Sequence, residues 1–271
     1  MTTAYVSTSK EEGIGTITWH RPGVKNAYDL AFMKELNGAL REMIGDADVK
    51  AVLMTGKDDF SSGADIKTLA AMKDGQEMGE FCRYCNQTLD MIAYYGVEHA
   101  EELIVTKPFI AAIDGYCVGG GLEIALACDL RYATREAKFG FPEITLGLLP
   151  GTGGIARLCQ IVGYGRAFET VTTGQEINPE KAYSFGLVNG VYDNKEEMLA
   201  DLHDKLATWY AQGPPLALSE AKRCVQESYR MPLDKAIAYA SARQKILANT
   251  FDKREGCQAF LEKREPDFRG E

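Results

Sequence analysis

Two glutamates stand in apolar company twenty positions apart. Glu123 lies in "GGGLEIALACDL", directly after three glycines. Glu143 lies in "KFGFPEITLGLLPGTGG", among Phe139, Phe141, Ile144 and Leu146. Burial disfavours the charged form of a carboxyl group and raises its pKa, which makes it a usable proton shuttle near neutrality. Two carboxyls in apolar surroundings can divide acid and base duties between them.

The glycines add a second ingredient. Without a Cβ they permit a sharp turn and a close approach of backbone to ligand. "LEIALACDL" reads as a buried helix, and the first N–H groups of a helix have no internal partner and sit at its positive end. The Gly120 N–H is therefore a candidate donor to an oxygen that gains charge, with Glu123 one turn further in. "DDFSSGADIKTL" offers a matching donor. There a Gly63-Ala64 turn follows a strand and leads into a helix starting at Asp65, so the Ala64 N–H can converge on the same oxygen. Two converging backbone donors stabilise an oxyanion. Lys67, a little further on, can meet a phosphate.

These residues need elements to hold them. "GIGTITWHRP" reads as a strand. "YDLAFMKELNGALREMIGD" reads as a helix with Asp29 as N-cap and Met33, Leu36, Leu40 and Met43 on one face. "KAVLMTG", "KPFIAAIDG" and "LRYAT" are short apolar runs, expected as buried strands. Strands alternating with helices predict an α/β architecture with mostly parallel pairing. "GTGGIARLCQIVGYGRAFETVTTG" carries helical spacing between glycines. From about residue 195 the chain reads as helical, with "PPLALSEAKRCVQESYR" and "PLDKAIAYASARQKILAN" as amphipathic segments begun by prolines. The expected division is an α/β core over residues 1–195 and a helical region over 196–271.

Composition narrows the function classes. A chain of 271 residues, 45% hydrophobic and 25% charged, fits a folded globular protein rather than a disordered one. A formal charge of -9 argues against a nucleic-acid surface, which needs a basic footprint. No apolar run reaches the ~20 residues of a membrane span, and the N-terminus has neither a signal core nor an Arg-rich leader. Seven cysteines at scattered spacing suit reduced thiols and a cytoplasmic location. Cys82 and Cys85 form a lone CxxC. With only His20, His99 and His203 to add, it reads as two residues within one helical turn rather than a metal or redox site.

The combination of "HRPGVKNAYD", "SSGADIK", "KPFIAAIDGYCVGGGLEIALACDLRYAT", "AKFGFPEITLGLLPGTGG", "EKAYSFGLVNGV" and "QAFLEKREPDF" resembles the enoyl-CoA hydratase (crotonase) family, in order and over nearly the whole chain. The resemblance implies a repeated ββα spiral with a helical C-terminal trimerisation region, assembled as a hexamer of two trimers. It implies an enzyme that adds water across the 2,3 double bond of an enoyl-CoA thioester, with coenzyme A part of the substrate and no separate cofactor or metal. Ala64 and Gly120 match the oxyanion-hole positions, and Glu123 and Glu143 the two catalytic acids. Val24, Gly63, Asp65, Ile66, Lys67, Phe141 and Gly151 match substrate-binding positions. Phe260 and Lys263 match C-terminal residues that reach CoA from a neighbouring subunit.

Three features depart from the family pattern. The connection between "GADIK" and "KPFIAAIDG" is longer by about a dozen residues, unusual for a loop, with the addition near 93–105. Met91, Tyr94 and Tyr95 there are candidates to reshape the acyl pocket. Phe141 replaces the usual polar residue before the Pro-Glu pair. Gly23 takes the first basic position after "RP", with Lys25 two along. The altered pocket region admits a cyclic or dienoyl thioester as substrate. A Δ3,Δ2-enoyl-CoA isomerase needs only one proton shuttle, and a non-catalytic acyl-CoA binder needs neither glutamate, so retention of both favours hydration.

Overall fold

The computed structural model describes residues 4–93 and 106–271. A six-stranded sheet forms the frame. Its strands are β1 (Val6–Glu11), β2 (Ile14–Trp19), β3 (Ala51–Gly56), β4 (Phe109–Ile113), β6 (Leu130–Thr134) and β8 (Gly190–Tyr192), in that spatial order. Only the β1–β2 hairpin pairs antiparallel; every other pair is parallel. Parallel sheets are normally covered on both faces, and the side chains obey that rule. Ile17, Trp19, Val52, Met54, Phe109, Ala111 and Ile113 enter the main core. The residues between them, Ala51, Leu53, Ile110 and Ala112, enter a second core on the opposite face. That second face is closed by Met198, Leu202 and Leu206 of helix α8 (Lys195–Leu206).

A second, smaller layer runs beside the frame. Strands β5 (Tyr116–Val118) and β7 (Lys138–Gly140) pair in parallel. Single bridges extend the layer on both sides: Tyr28 with Ala64, Ser61 with Cys117, and Phe139 with Ile177. Each turn of the chain thus gives a frame strand, a short rung of the second layer, and a helix. The helices are α1 (Leu30–Gly45), α2 (Ile66–Ala71) with α3 (Gly75–Ala93), α4 (Gly120–Ala127), and α5 (Gly154–Val162) with α6 (Tyr164–Thr173) and α7 (Pro179–Ser184). This is the repeated ββα spiral.

Local signals act as the sequence predicts. The Asp29 carboxylate caps α1 by accepting from the Phe32 N–H at 2.9 Å, and Met33, Leu36, Leu40 and Met43 are buried. Asp65 caps α2 by accepting from the Lys67 N–H. Prolines start α9 (Pro215–Ser228) and precede α10 (Leu233–Leu247); α11 (Phe251–Glu262) follows. Among the described residues no helix is long and apolar enough to cross a membrane. Tyr94, Tyr95 and most of the added connection lie outside the described residues. Met91 lies inside them and packs on the main core, its sulfur accepting from Asn37 at 3.3 Å, so it does not line the cavity described below.

Candidate active site

The rungs of the second layer bring three distant loops together. Asn26, in the left-handed conformation (φ 53°), donates to Asp59 O at 2.5 Å. Ser61 Oγ donates to Asn26 O and accepts from the Gly63 N–H. Arg21 pairs with both Asp29 and Asp65, at 3.0 and 2.9 Å. These bonds fasten the loop before α1 to the turn before α2. The Ala64 N–H is left without a protein acceptor among the described residues, because Tyr28 bonds to Gly63 O and to the Asp65 N–H on either side of it.

The turn before α4 lies directly alongside. Gly119 has φ 55°, a left-handed backbone that disfavours any residue with a Cβ. A Cβ on Gly63 would stand 2.8 Å from the Gly120 nitrogen, so the two turns touch only because that position is glycine. Gly120 opens α4, where the N–H has no intrahelical partner. Ala64 and Gly120 share the wall of one cavity of about 590 Å³.

Both glutamates line that cavity, in different settings. All eight residues of α4 are buried, and Glu123 is 2% exposed. Its Oε1 accepts from the N–H groups of Thr152 and Gly154 at 2.7 and 2.8 Å, and its Oε2 from the Thr152 hydroxyl. The loop between Pro150 and α5 therefore wraps the carboxylate with donors alone, and the group faces them purely as an acceptor. Gly154 must be small: a Cβ there would meet Phe141 and Glu123 at 2.6 and 2.8 Å.

Glu143 stands on a 3₁₀ turn, Pro142–Leu146. Phe141 is extended (φ -119°, ψ 86°), as a residue before proline must be. The Glu143 carboxyl faces Gly119, whose Cβ would lie 3.0 Å from Oε1. Its Oε2 is buried and has no hydrogen-bond partner among the described residues. Burial first, and the charge of Glu123 in addition, push its pKa up to about 7. A carboxyl group so placed can hold or release a proton near neutrality.

The remaining sequence-derived positions divide. Ile66 and Gly151 line the cavity. Gly63 supports it from behind, and Asp65 is a helix cap paired with Arg21. Lys67 is exposed on α2 beyond the wall, and Val24 is partly exposed on the preceding loop. The Lys25 ammonium lies 3.4 Å from the centre of the Tyr116 ring. Phe141 is not at the cavity surface. It is fully buried, its ring against Gly154, and supports the Glu123 loop instead of meeting a ligand. Phe260 and Lys263 lie at the exposed end of α11, away from this chain's own cavity.

Some contributors went unread in the sequence. Thr152 sits within the quoted "PGTGG", yet only folding reveals that it grips Glu123. Cys82 reaches the cavity while Cys85 faces the core, so the CxxC spans one turn of α3.

Comparisons with known proteins bear on the family and the fold. The family model described as "Enoyl-CoA hydratase/isomerase" matches residues 9–271. The chain is similar to the 2,3-dehydroadipyl-CoA hydratase of Escherichia coli K12, 34% identical with 97% of each chain covered. It is similar to the short-chain-enoyl-CoA hydratase of Clostridium acetobutylicum, 32% identical with 94% of each covered. Among solved structures, the enoyl-CoA hydratase of Bacillus anthracis superposes with a TM-score of 0.88 at 31% identity, covering 98% of this chain and 100% of that one. The chain belongs to the enoyl-CoA hydratase/isomerase family.

Proposed function

We infer that the chain is an enoyl-CoA hydratase, a carbon–oxygen lyase that adds water reversibly across the 2,3 double bond of an enoyl-CoA thioester. One observation carries the reading: two backbone N–H groups without protein acceptors among the described residues, the buried Glu123 and the partly buried Glu143 meet in one cavity. The thioester oxygen accepts from Ala64 and Gly120. Glu123 takes a proton from a water molecule as the water oxygen bonds to C3. The π electrons move toward the carbonyl, whose oxygen gains charge against the two donors. Glu143 gives its proton to C2, and the carbonyl re-forms. Water's second hydrogen stays on the new C3 hydroxyl. Removing one donor of such a hole costs ~10²–10³ in rate, and each acid–base group contributes ~10²–10⁴.

The exposed position of Lys67 suits a CoA phosphate. Val225, Tyr229, Leu233 and Ile237 expose large apolar surface on α9, α10 and their connection, which supports homo-oligomeric assembly through the helical region. A hexamer of two trimers would bring Phe260 and Lys263 to a neighbour's CoA, and sedimentation velocity reports its mass. Seven unpaired thiols are compatible with the cytoplasm.

The test is hydration of a panel of linear, branched and cyclic enoyl-CoAs, followed by loss of the conjugated thioester absorbance. Glu123→Gln and Glu143→Gln should each lower kcat by ~10²–10⁴ while CoA binding survives. Near-normal turnover in either variant would overturn the two-acid assignment.

A further inference from the structure

Tyr28 sits where the two proposed donor segments meet. Its N–H donates to Gly63 O and its carbonyl accepts from the Asp65 N–H, both at 2.8 Å. Its side chain reaches the other segment. A Cβ built on Gly120 would stand 1.9 Å from the Tyr28 hydroxyl oxygen and 2.6 Å from Cζ, so the phenol occupies the space over the Gly120 Cα.

The ring itself is core. Tyr28 is 3% exposed and packs between Phe32 and Phe81, with centroids 6.3 and 6.2 Å away. Phenylalanine would fill that slot equally well, so packing does not account for the oxygen. Buried tyrosines normally pair their hydroxyl. Here, among the described residues, Oη has no protein partner, and it is not sealed off within the core. Tyr28 shares the cavity wall with Ala64, Gly120, Glu123 and Glu143. Burial first, with the neighbouring ionisable groups of Cys85, Glu123 and Glu143 adding to it, holds its pKa well above the ordinary tyrosine value. The phenol therefore keeps its proton at neutral pH and acts as a donor.

We propose that Tyr28 Oη is a third hydrogen-bond donor to the acyl thioester oxygen, beside the N–H groups of Ala64 and Gly120. The proposal rests on the oxyanion-hole reading above. As water bonds to C3 and charge moves to the carbonyl oxygen, the O–H···O bond tightens and the proton stays on Tyr28. A donor aimed where charge develops lowers the barrier more than it strengthens ground-state binding.

Tyr28→Phe removes the hydroxyl and keeps the ring. Hydration kcat should fall about tenfold or more, with two donors remaining, and KM should change little. A second readout follows carbonyl polarisation directly. A bound aryl-conjugated enoyl-CoA absorbs further to the red as its carbonyl is polarised, and that shift should shrink in Tyr28→Phe. If this variant folds poorly, a fluorotyrosine placed at position 28, a stronger donor, should enlarge the shift. Unchanged kcat and an unchanged shift would overturn the proposal. So would a raised KM at constant kcat, which marks contact with a non-reacting part of the substrate. If the wild-type protein gave neither turnover nor a shift, the hole itself would fail. If wild type gave both and Tyr28→Phe matched it, only the role of Tyr28 would fail.

Discussion

Glu123 and Glu143 line one cavity and are held by opposite means. Glu123 rises from a fully buried helix and meets three donors from the Thr152–Gly154 loop. Glu143 sits on a short 3₁₀ turn with one buried oxygen unpaired. The first carboxylate is fixed in place and solvated by protein dipoles, as suits a base that orients water. The second lacks such donors and is pushed toward neutrality, as suits an acid that carries a proton. The proposed division of labour thus rests on what surrounds two chemically identical side chains.

That contrast can be sharpened first through pH. Glu143 must begin hydration protonated, so the hydration rate should hold below about 7 and fall above it, by about tenfold per unit once the group is ionised. Dehydration begins with Glu143 ionised and should rise through the same range. Glu143→Gln should remove this limb along with most of the activity. Glu123→Gln, though slow, should keep it. A limb that survives in Glu143→Gln would assign the titration elsewhere.

A smaller effect tests how Glu123 is held. Thr152→Val deletes the hydroxyl donor and leaves both backbone donors. Hydrogen bonds to charged groups contribute about 1.5–3 kcal/mol, so the variant should melt earlier. Looser aim of the base should cost about tenfold in kcat with little change in KM. An unchanged melting temperature and rate would mean that the backbone donors suffice.

The same contrast explains what the sequence made legible. Of the frame strands, β1 and the three-residue β8 went unread, but β2, β3, β4 and β6 could be read because their apolar runs are long enough to show, and α1 because its period and its Asp29 cap coincide. The rungs of the second layer could not. β5 and β7 are three residues each, and the bridges are single pairs, too short for any periodicity. Glu123 and Glu143 stood out as charges in apolar runs. Thr152 did not, because its partner lies 29 residues away and the pairing exists only once the loop folds back. Phe141 was expected among the substrate-binding positions from the family resemblance. The extended backbone before Pro142 sends its ring inward to Gly154 instead. Tyr28 looked like part of a helix start, and only the close approach of Gly120 reveals where its hydroxyl ends.

The assignment of Glu143 to C2 and Glu123 to water can be separated without any hydration. A saturated acyl-CoA has exchangeable C2 hydrogens but no double bond to receive water. In deuterated water, their exchange, followed by proton NMR, needs the oxyanion donors and the residue that serves C2, and nothing else. Glu123→Gln should exchange these hydrogens within about tenfold of wild type, having kept that machinery. Glu143→Gln should exchange them at the solvent background. Exchange that persists in Glu143→Gln and vanishes in Glu123→Gln would contradict the assignment.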